Sequence, residues 1–181
     1  MRFLTRCRPV SVLAGLAAMT AAVAIAAPAA ASASITGSPV VGHVYVNDNT
    51  GGVNTIGAFD RHADGTLTKL AGSPFAAGGS GTGAGLASQG ALQITPDGRF
   101  LIAVDARSNQ ISALRIEGDG SLQLVPHSVV ASGGVLPVSV AVHGDLVYVA
   151  NAGNGGSNYA GFRLHPRRPP AAHRRLDRRA A

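Results

Sequence analysis

Outside the first 33 residues and the last 17, the chain carries four histidines, His43, His62, His127 and His143. These are the side chains best suited to move a proton near neutral pH. Hydrolytic chemistry would need such a base or a metal-activated water, with donors placed for a developing oxyanion. No two of the four are spaced as metal ligands on one strand or helix. His43 and His143 adjoin strand ends and turns, His62 lies beside Asp64-Gly65, and His127 follows Pro126. Each therefore reads as a surface histidine. There is no Gly-x-Ser-x-Gly elbow for a serine nucleophile. The run Gly78-Gly79-Ser80-Gly81-Thr82-Gly83 lacks dinucleotide spacing and the lysine of a phosphate loop, and reads as a flexible connector. Cys7 is the single cysteine and precedes the folded part, which excludes thiolate chemistry there. No catalytic residue, cofactor or metal is assigned.

The elements that must position any site come from a repeat. One unit recurs: an apolar strand ending in a polar turn, a second strand, an Asp-Gly turn and another strand. The first copy contains His43-Val44-Tyr45-Val46-Asn47-Asp48-Asn49, Thr55-Ile56-Gly57-Ala58-Phe59 and Asp64-Gly65-Thr66-Leu67. The second contains Phe100-Leu101-Ile102-Ala103-Val104-Asp105, Gln110-Ile111-Ser112-Ala113-Leu114 and Asp119-Gly120-Ser121-Leu122. The third contains Leu146-Val147-Tyr148-Val149-Ala150-Asn151 and Asn158-Tyr159-Ala160-Gly161-Phe162-Arg163-Leu164. Val104 and Val149 are 45 residues apart, and Val46 and Val104 are 58 apart because of a Gly/Ser/Ala-rich insertion at residues 76–90. Further strands are expected at Ala91-Leu92-Gln93-Ile94 and Ser139-Val140-Ala141-Val142 from apolar content and β-branching. Thr95-Pro96-Asp97-Gly98-Arg99 and His143-Gly144-Asp145 form the turns after them. Four strands per unit of 40–50 residues predict an all-β chain, a β-propeller of four-stranded blades. The blades fall at about residues 41–79, 91–134 and 137–164, some 2.6 blades in all. A β-sandwich also has short strands and glycine turns, but it does not predict one strand order repeated three times.

Tyr45-Val46-Asn47, Tyr148-Val149-Ala150-Asn151 and Pro96-Asp97-Gly98-Arg99 resemble the Tyr-Val-Thr-Asn type of propeller repeat. Gly57-Ala58-Phe59-Asp60, Asp64-Gly65-Thr66-Leu67-Thr68 and Leu70-Ala71-Gly72-Ser73-Pro74-Phe75 resemble a blade of the lactonase family of seven-bladed propellers. That family includes propeller-type 6-phosphogluconolactonases and 3-carboxymuconate cyclases. The resemblance covers residues 41–164 and implies lactone hydrolysis or muconate-type cycloisomerisation by the parent protein, with a lactone or sugar-acid substrate. It also implies a pocket at one mouth of a central channel, lined by residues 47–54, 78–90, 105–109, 133–137 and 151–158. The Asn, Asp and Gly residues of these loops are equally explained by turn chemistry. The family's Pro-Arg-His segment corresponds to Leu136-Pro137-Val138-Ser139, which lacks Arg and His. No catalytic residue is therefore transferred. A non-catalytic exported scaffold and an inactive frameshifted fragment are the alternatives.

The chain ends differ from its middle. Arg2, Arg6 and Arg8 precede an apolar run over residues 10–27, and Ala31-Ser32-Ala33 supplies small residues for cleavage. Residues 1–33 are thus an expected export signal, with the protein secreted and no membrane association after cleavage. Charge is +3 in that signal, −2 over residues 34–164 and +5 over residues 165–181. The scattered basic residues of the middle form no striped face with stacking aromatics, which argues against nucleic acid. Residues 165–181 are Arg/Pro-rich, with no strand period, and the expected fourth strand of the third blade is missing from the pattern. One back-translation of Arg174 to Arg179, read one base later, gives Ala-Gly-Ser-Thr-Val, similar to Leu70-Ala71-Gly72-Ser73-Pro74. The tail is therefore expected to be out of frame, and open blade edges to promote self-association.

Overall fold

The structure, a computed structural model, describes residues 37–154, 157–166 and 174–179. The expected export signal lies outside them. The described residues contain strands, turns and loops, arranged as three antiparallel sheets. The first has β1 (Val40–Asn47), β2 (Gly52–His62), β3 (Leu67–Lys69) and β4 (Phe75–Gly81). The second has β5 (Leu92–Ile94), β6 (Phe100–Asp105), β7 (Gln110–Ile116), β8 (Leu122–Leu124) and β9 (Val130–Ala131). The third has β10 (Pro137–His143), β11 (Leu146–Asn151), β12 (Asn158–Pro166) and β13 (Arg174–Arg179).

Each sheet is a meander, and corresponding strands can be matched by their pairing. Strands β1, β6 and β11 are equivalent, as are β2, β7 and β12. In the second and third sheets the first of these is flanked by β5 or β10. In the first sheet no described strand pairs with that edge of β1. The last position of the first two sheets is shared by two short strands along one long partner. Strands β3 and β4 both pair with β2, and β8 and β9 both pair with β7.

The Asp-Gly turns repeat atom for atom. Gly65 and Gly120 have φ of 85° and 81°, a region that L side chains rarely adopt. Asp64 and Asp119 each accept from the backbone N–H two residues later, at 3.0 Å in both turns. The hydroxyls of Thr66 and Ser121 donate to the same carboxylates, and these bonds hold both carboxyls below the ordinary value.

Two cores lie between three sheets, and β6 serves both. Leu101 and Ala103 pack with Ile56, Ala77, Leu114 and Leu122 on one face. Ile102 and Val104 pack with Ile111, Val147, Val149, Ala160, Phe162 and Leu164 on the other. The two-residue period of a strand divides its side chains between the two cores, so all six residues of β6 are buried.

Two expectations need correction. Residues 78–81 are not a flexible connector, because Ser80 and Gly81 pair with Val53 and Gly52 as part of β4. A Cβ on Gly79 would overlap the Asp105 side chain, and one on Gly81 would overlap the Asn49 backbone. Gly79 is there because two sheets approach each other closely and Gly81 because its own sheet's β1–β2 loop does, not because the chain needs freedom. The tail does supply a fourth strand to the third sheet. Strand β13 pairs with β12 from Gly161↔Arg179 to Pro166↔Arg174. Strand pairing is made by backbone groups, so an extended segment can join an open edge whatever its side-chain pattern.

Candidate functional site

The loops joining β1 to β2, β6 to β7 and β11 to β12 lie at one end of the sheets with the loops leading into β5 and β10. Hydrogen bonds link them from sheet to sheet. Gly83 N–H donates to the Asn49 carbonyl at 2.8 Å, and Arg107 N–H donates to the Ser80 carbonyl at 3.0 Å. Ser80 N–H donates to Ser108 Oγ, and Leu136 N–H donates to Asn109 Oδ1 at 2.8 Å. Asn158 Nδ2 donates to the Gly133 carbonyl at 3.3 Å. The five loops expected from the sequence thus form one connected rim.

The asparagines are both turn formers and ties. Asn49 and Asn109 have φ of 48° and 56°, which asparagine tolerates better than most residues. Asn47 Nδ2 reaches across to the carbonyls of Val104 at 2.9 Å and Ala91 at 3.2 Å. Its Oδ1 accepts from Asn49 N–H at 3.0 Å. Asn49 Nδ2 donates to Thr82 Oγ1 and the Ala84 carbonyl, while its Oδ1 accepts from Thr82 N–H. Asn151 Nδ2 donates to Asn158 Oδ1 at 2.8 Å, and its Oδ1 accepts from Ser132 Oγ at 2.7 Å.

Asp105, at the end of β6, is fully buried. It accepts from Ser112 Oγ, from Asn54 Nδ2 at 2.9 Å and from Gly79 N–H. Burial raises its carboxyl above the ordinary range, while these three donors pull the other way. Asn54 also donates to the Val104 carbonyl at 3.0 Å, which fixes its amide orientation and leaves its buried Oδ1 without a partner. Asp105 therefore joins the first sheet to the second and is closed off from any ligand. The sequence placed it among the pocket-lining residues 105–109, but the neighbouring sheet buries it away from the cleft.

Between the first β-turn of the rim and the loop into β5 lies a cleft of about 450 Å3. Asn47, Asp48, Asn49, Leu86, Ala87 and Ser88 are among its lining residues. Asp48 is exposed and accepts from Thr55 Oγ1 at 2.8 Å. Among the described residues it is the one ionisable side chain lining the cleft. Ser88 donates to the Val138 carbonyl and lies 3.1 Å from Ser139 Oγ, which ties the loops into β5 and β10 together.

The histidines lie elsewhere. His127 and His143 are exposed. His62 bonds the Ser38 carbonyl at 2.6 Å and Thr68 Oγ1 at 2.8 Å. His43 Nδ1 lies 3.0 Å from Asp60 Oδ1, beside a second cleft of about 600 Å3 at the opposite end of β1 and β2. Tyr45 there donates to the Gly120 carbonyl at 2.8 Å, and burial raises its hydroxyl above the ordinary value, with Asp119 and Asp60 adding to the effect. Among the described residues no group of three or more His, Cys, Asp or Glu side chains could hold a metal ion.

Comparison with known proteins agrees with the sheet architecture. The family described as "Lactonase, 7-bladed beta-propeller" matches residues 43–166. A crystal structure of a functionally unknown protein from Desulfotomaculum acetoxidans DSM 771 superposes with a TM-score of 0.51 at 22% identity. The alignment covers 76% of this chain and 41% of that one. No curated protein matches this chain significantly.

Proposed function

Since the chain belongs to the lactonase family of seven-bladed β-propellers, we propose that it is part of an exported propeller whose rim binds a small cyclic ester for hydrolysis. Muconate-type cycloisomerisation is the related reaction, in which a carboxylate closes the ring instead. The observation that carries this reading is the rim cleft, which is built from two of the five loops that the family resemblance assigns to the pocket, residues 47–54 and 78–90. Chemistry there requires a base and oxyanion donors. Among the described residues Asp48 is the one ionisable group lining the cleft, so they supply binding, and we assign the acid–base pair to further blades of the parent propeller. A pH-stat assay of proton release from simple lactones by the parent propeller, which carries the further blades, tests the reading. Release above the buffer rate that falls in Ala84→Trp, which obstructs the cleft, is the expected result. Turnover unchanged in that variant would overturn it.

The second reading, a scaffold that binds without turnover, is favoured by that same single carboxylate. It predicts ligand binding at the rim with no proton release. Export is supported by Arg2, Arg6, Arg8 and Ala31-Ser32-Ala33, and amino-terminal sequencing of secreted protein should begin at Ser34. The frameshift reading of residues 165–181 is supported by the end of the family match at residue 166, two residues after the change in composition. DNA sequencing across codons 160–170 tests it.

A further inference from the structure

The charge and hydrogen bonding of the rim cleft constrain what it can hold. Its side-chain donors are already used. Asn47 Nδ2 is held by two carbonyls, Asn49 Nδ2 by Thr82 and Ala84, and the Ser88 hydroxyl by Val138. Among its side chains what remains for a ligand is an acceptor, the Asp48 carboxylate, of which Oδ2 takes the Thr55 hydroxyl. Among the described residues no lysine, arginine or histidine lines the cleft. One wall is apolar, with Leu86, Ala84, Ala87 and Ala91. A phosphate or carboxylate in this space would face a like charge with no cation to offset it. A ring with hydroxyl groups on its edge and C–H groups on its face matches both the carboxylate and the wall.

We infer that the cleft is selective for a neutral polyhydroxylated ring, a sugar or sugar lactone without phosphate or carboxylate, whose hydroxyls donate to Asp48. This rests on the rim being the binding site and adds the charge class of what it takes. Asp48 is a specificity-determining residue in this account, not a catalytic one.

The test compares stable sugars that share one ring and differ in charge. Glucose, glucose 6-phosphate and glucosamine are titrated against the full chain, with saturation-transfer NMR as the readout. The expected result is that glucose binds at least about tenfold more tightly than its phosphate, consistent with about 1.4 kcal/mol from one repulsive pair. Asp48→Asn should bring the two toward parity, and Asp48→Lys should reverse the order. Thermal melting and far-UV circular dichroism show whether each variant is folded. Should the lysine variant misfold, the asparagine variant still decides the matter. Tighter binding of the phosphate by the unaltered chain, or a tenfold preference that survives in Asp48→Asn, overturns the inference while leaving the rim as a binding site. Glucosamine binding about tenfold more tightly than glucose overturns it in favour of a cation site. No binding of any of the three overturns the inference and the rim reading together.

Discussion

Strands β1 and β6 hold equivalent places in successive sheets, yet no residue of β1 is buried and every residue of β6 is. Their sequences are alike: His43-Val44-Tyr45-Val46-Asn47 against Leu101-Ile102-Ala103-Val104-Asp105. What differs is the surroundings. β6 has a sheet on each face and a strand on each edge, whereas among the described residues β1 has a sheet on one face and a strand on one edge. β11 is intermediate, with Val147 and Val149 buried and Tyr148 half exposed between them. In a propeller the same strand is core or surface according to its neighbours, so blade stability depends chiefly on the interfaces between blades.

The largest effect should come from the middle. Ile102→Ala removes a fully buried side chain from the second core and should cost about 2–5 kcal/mol, read as a lowered urea midpoint. The equivalent change on the first sheet, Val44→Ala, should cost clearly less. Equal losses would break the contrast. Next is Asp105→Asn, which places an amide donor among three existing donors and should cost about 1–3 kcal/mol at neutral pH. The sign of its pH dependence follows from burial. A carboxyl raised in the folded state contributes stability that is full below the unfolded value of 3.8 and is lost as pH rises through the folded value. Between about pH 4 and pH 7 the urea midpoint of the variant should therefore fall less than that of the unaltered chain. A steeper fall would show that Asp105 is not the group responsible.

Gly79→Ala should cost about 1–3 kcal/mol, since its Cβ meets Asp105 where two sheets are closest. Gly85→Ala, in open space on the rim, serves as its control and should leave the melting temperature nearly unchanged. The smallest effect on stability is expected from Val46→Ser and Tyr159→Ser, each within about 0.5 kcal/mol. These residues are 46% and 80% exposed on the outward faces of the first and third sheets. If the self-association expected at the open blade edges extends to these faces, the pair of changes should lower the apparent mass at high concentration in analytical ultracentrifugation. An unaltered sedimentation profile would refute that association.

The strand order was readable because Asp-Gly turns fix their own geometry and apolar alternation survives in each copy. The rim loops were readable for the same reason, since Asn49 and Asn109 take the left-handed backbone that their type suggests. Residues 78–81 misled because glycine marks both loose linkers and tight approaches, and only the opposing Asp105 side chain distinguishes them. Strand β13 was invisible because an arginine-rich segment carries no apolar period, yet the β12 edge offers it backbone partners. The cleft was half legible. Its loops could be named, but Asp48 as its one charge depends on which side chains point inward, which spacing does not encode.

The division of β6 between two cores also has a consequence in time. Leu101 and Ala103 find Ile56 and Ala77 already made as the chain emerges, and Leu114 and Leu122 follow soon after. Ile102 and Val104 meet Ile111 and Ala113 soon after but wait for residues 140–164 to complete their core. For that interval a strand with three large aliphatic side chains is half covered, within a segment of high β-propensity. Once both cores are complete, hydrogen exchange of the folded chain should show the amides of β6 to be lost last.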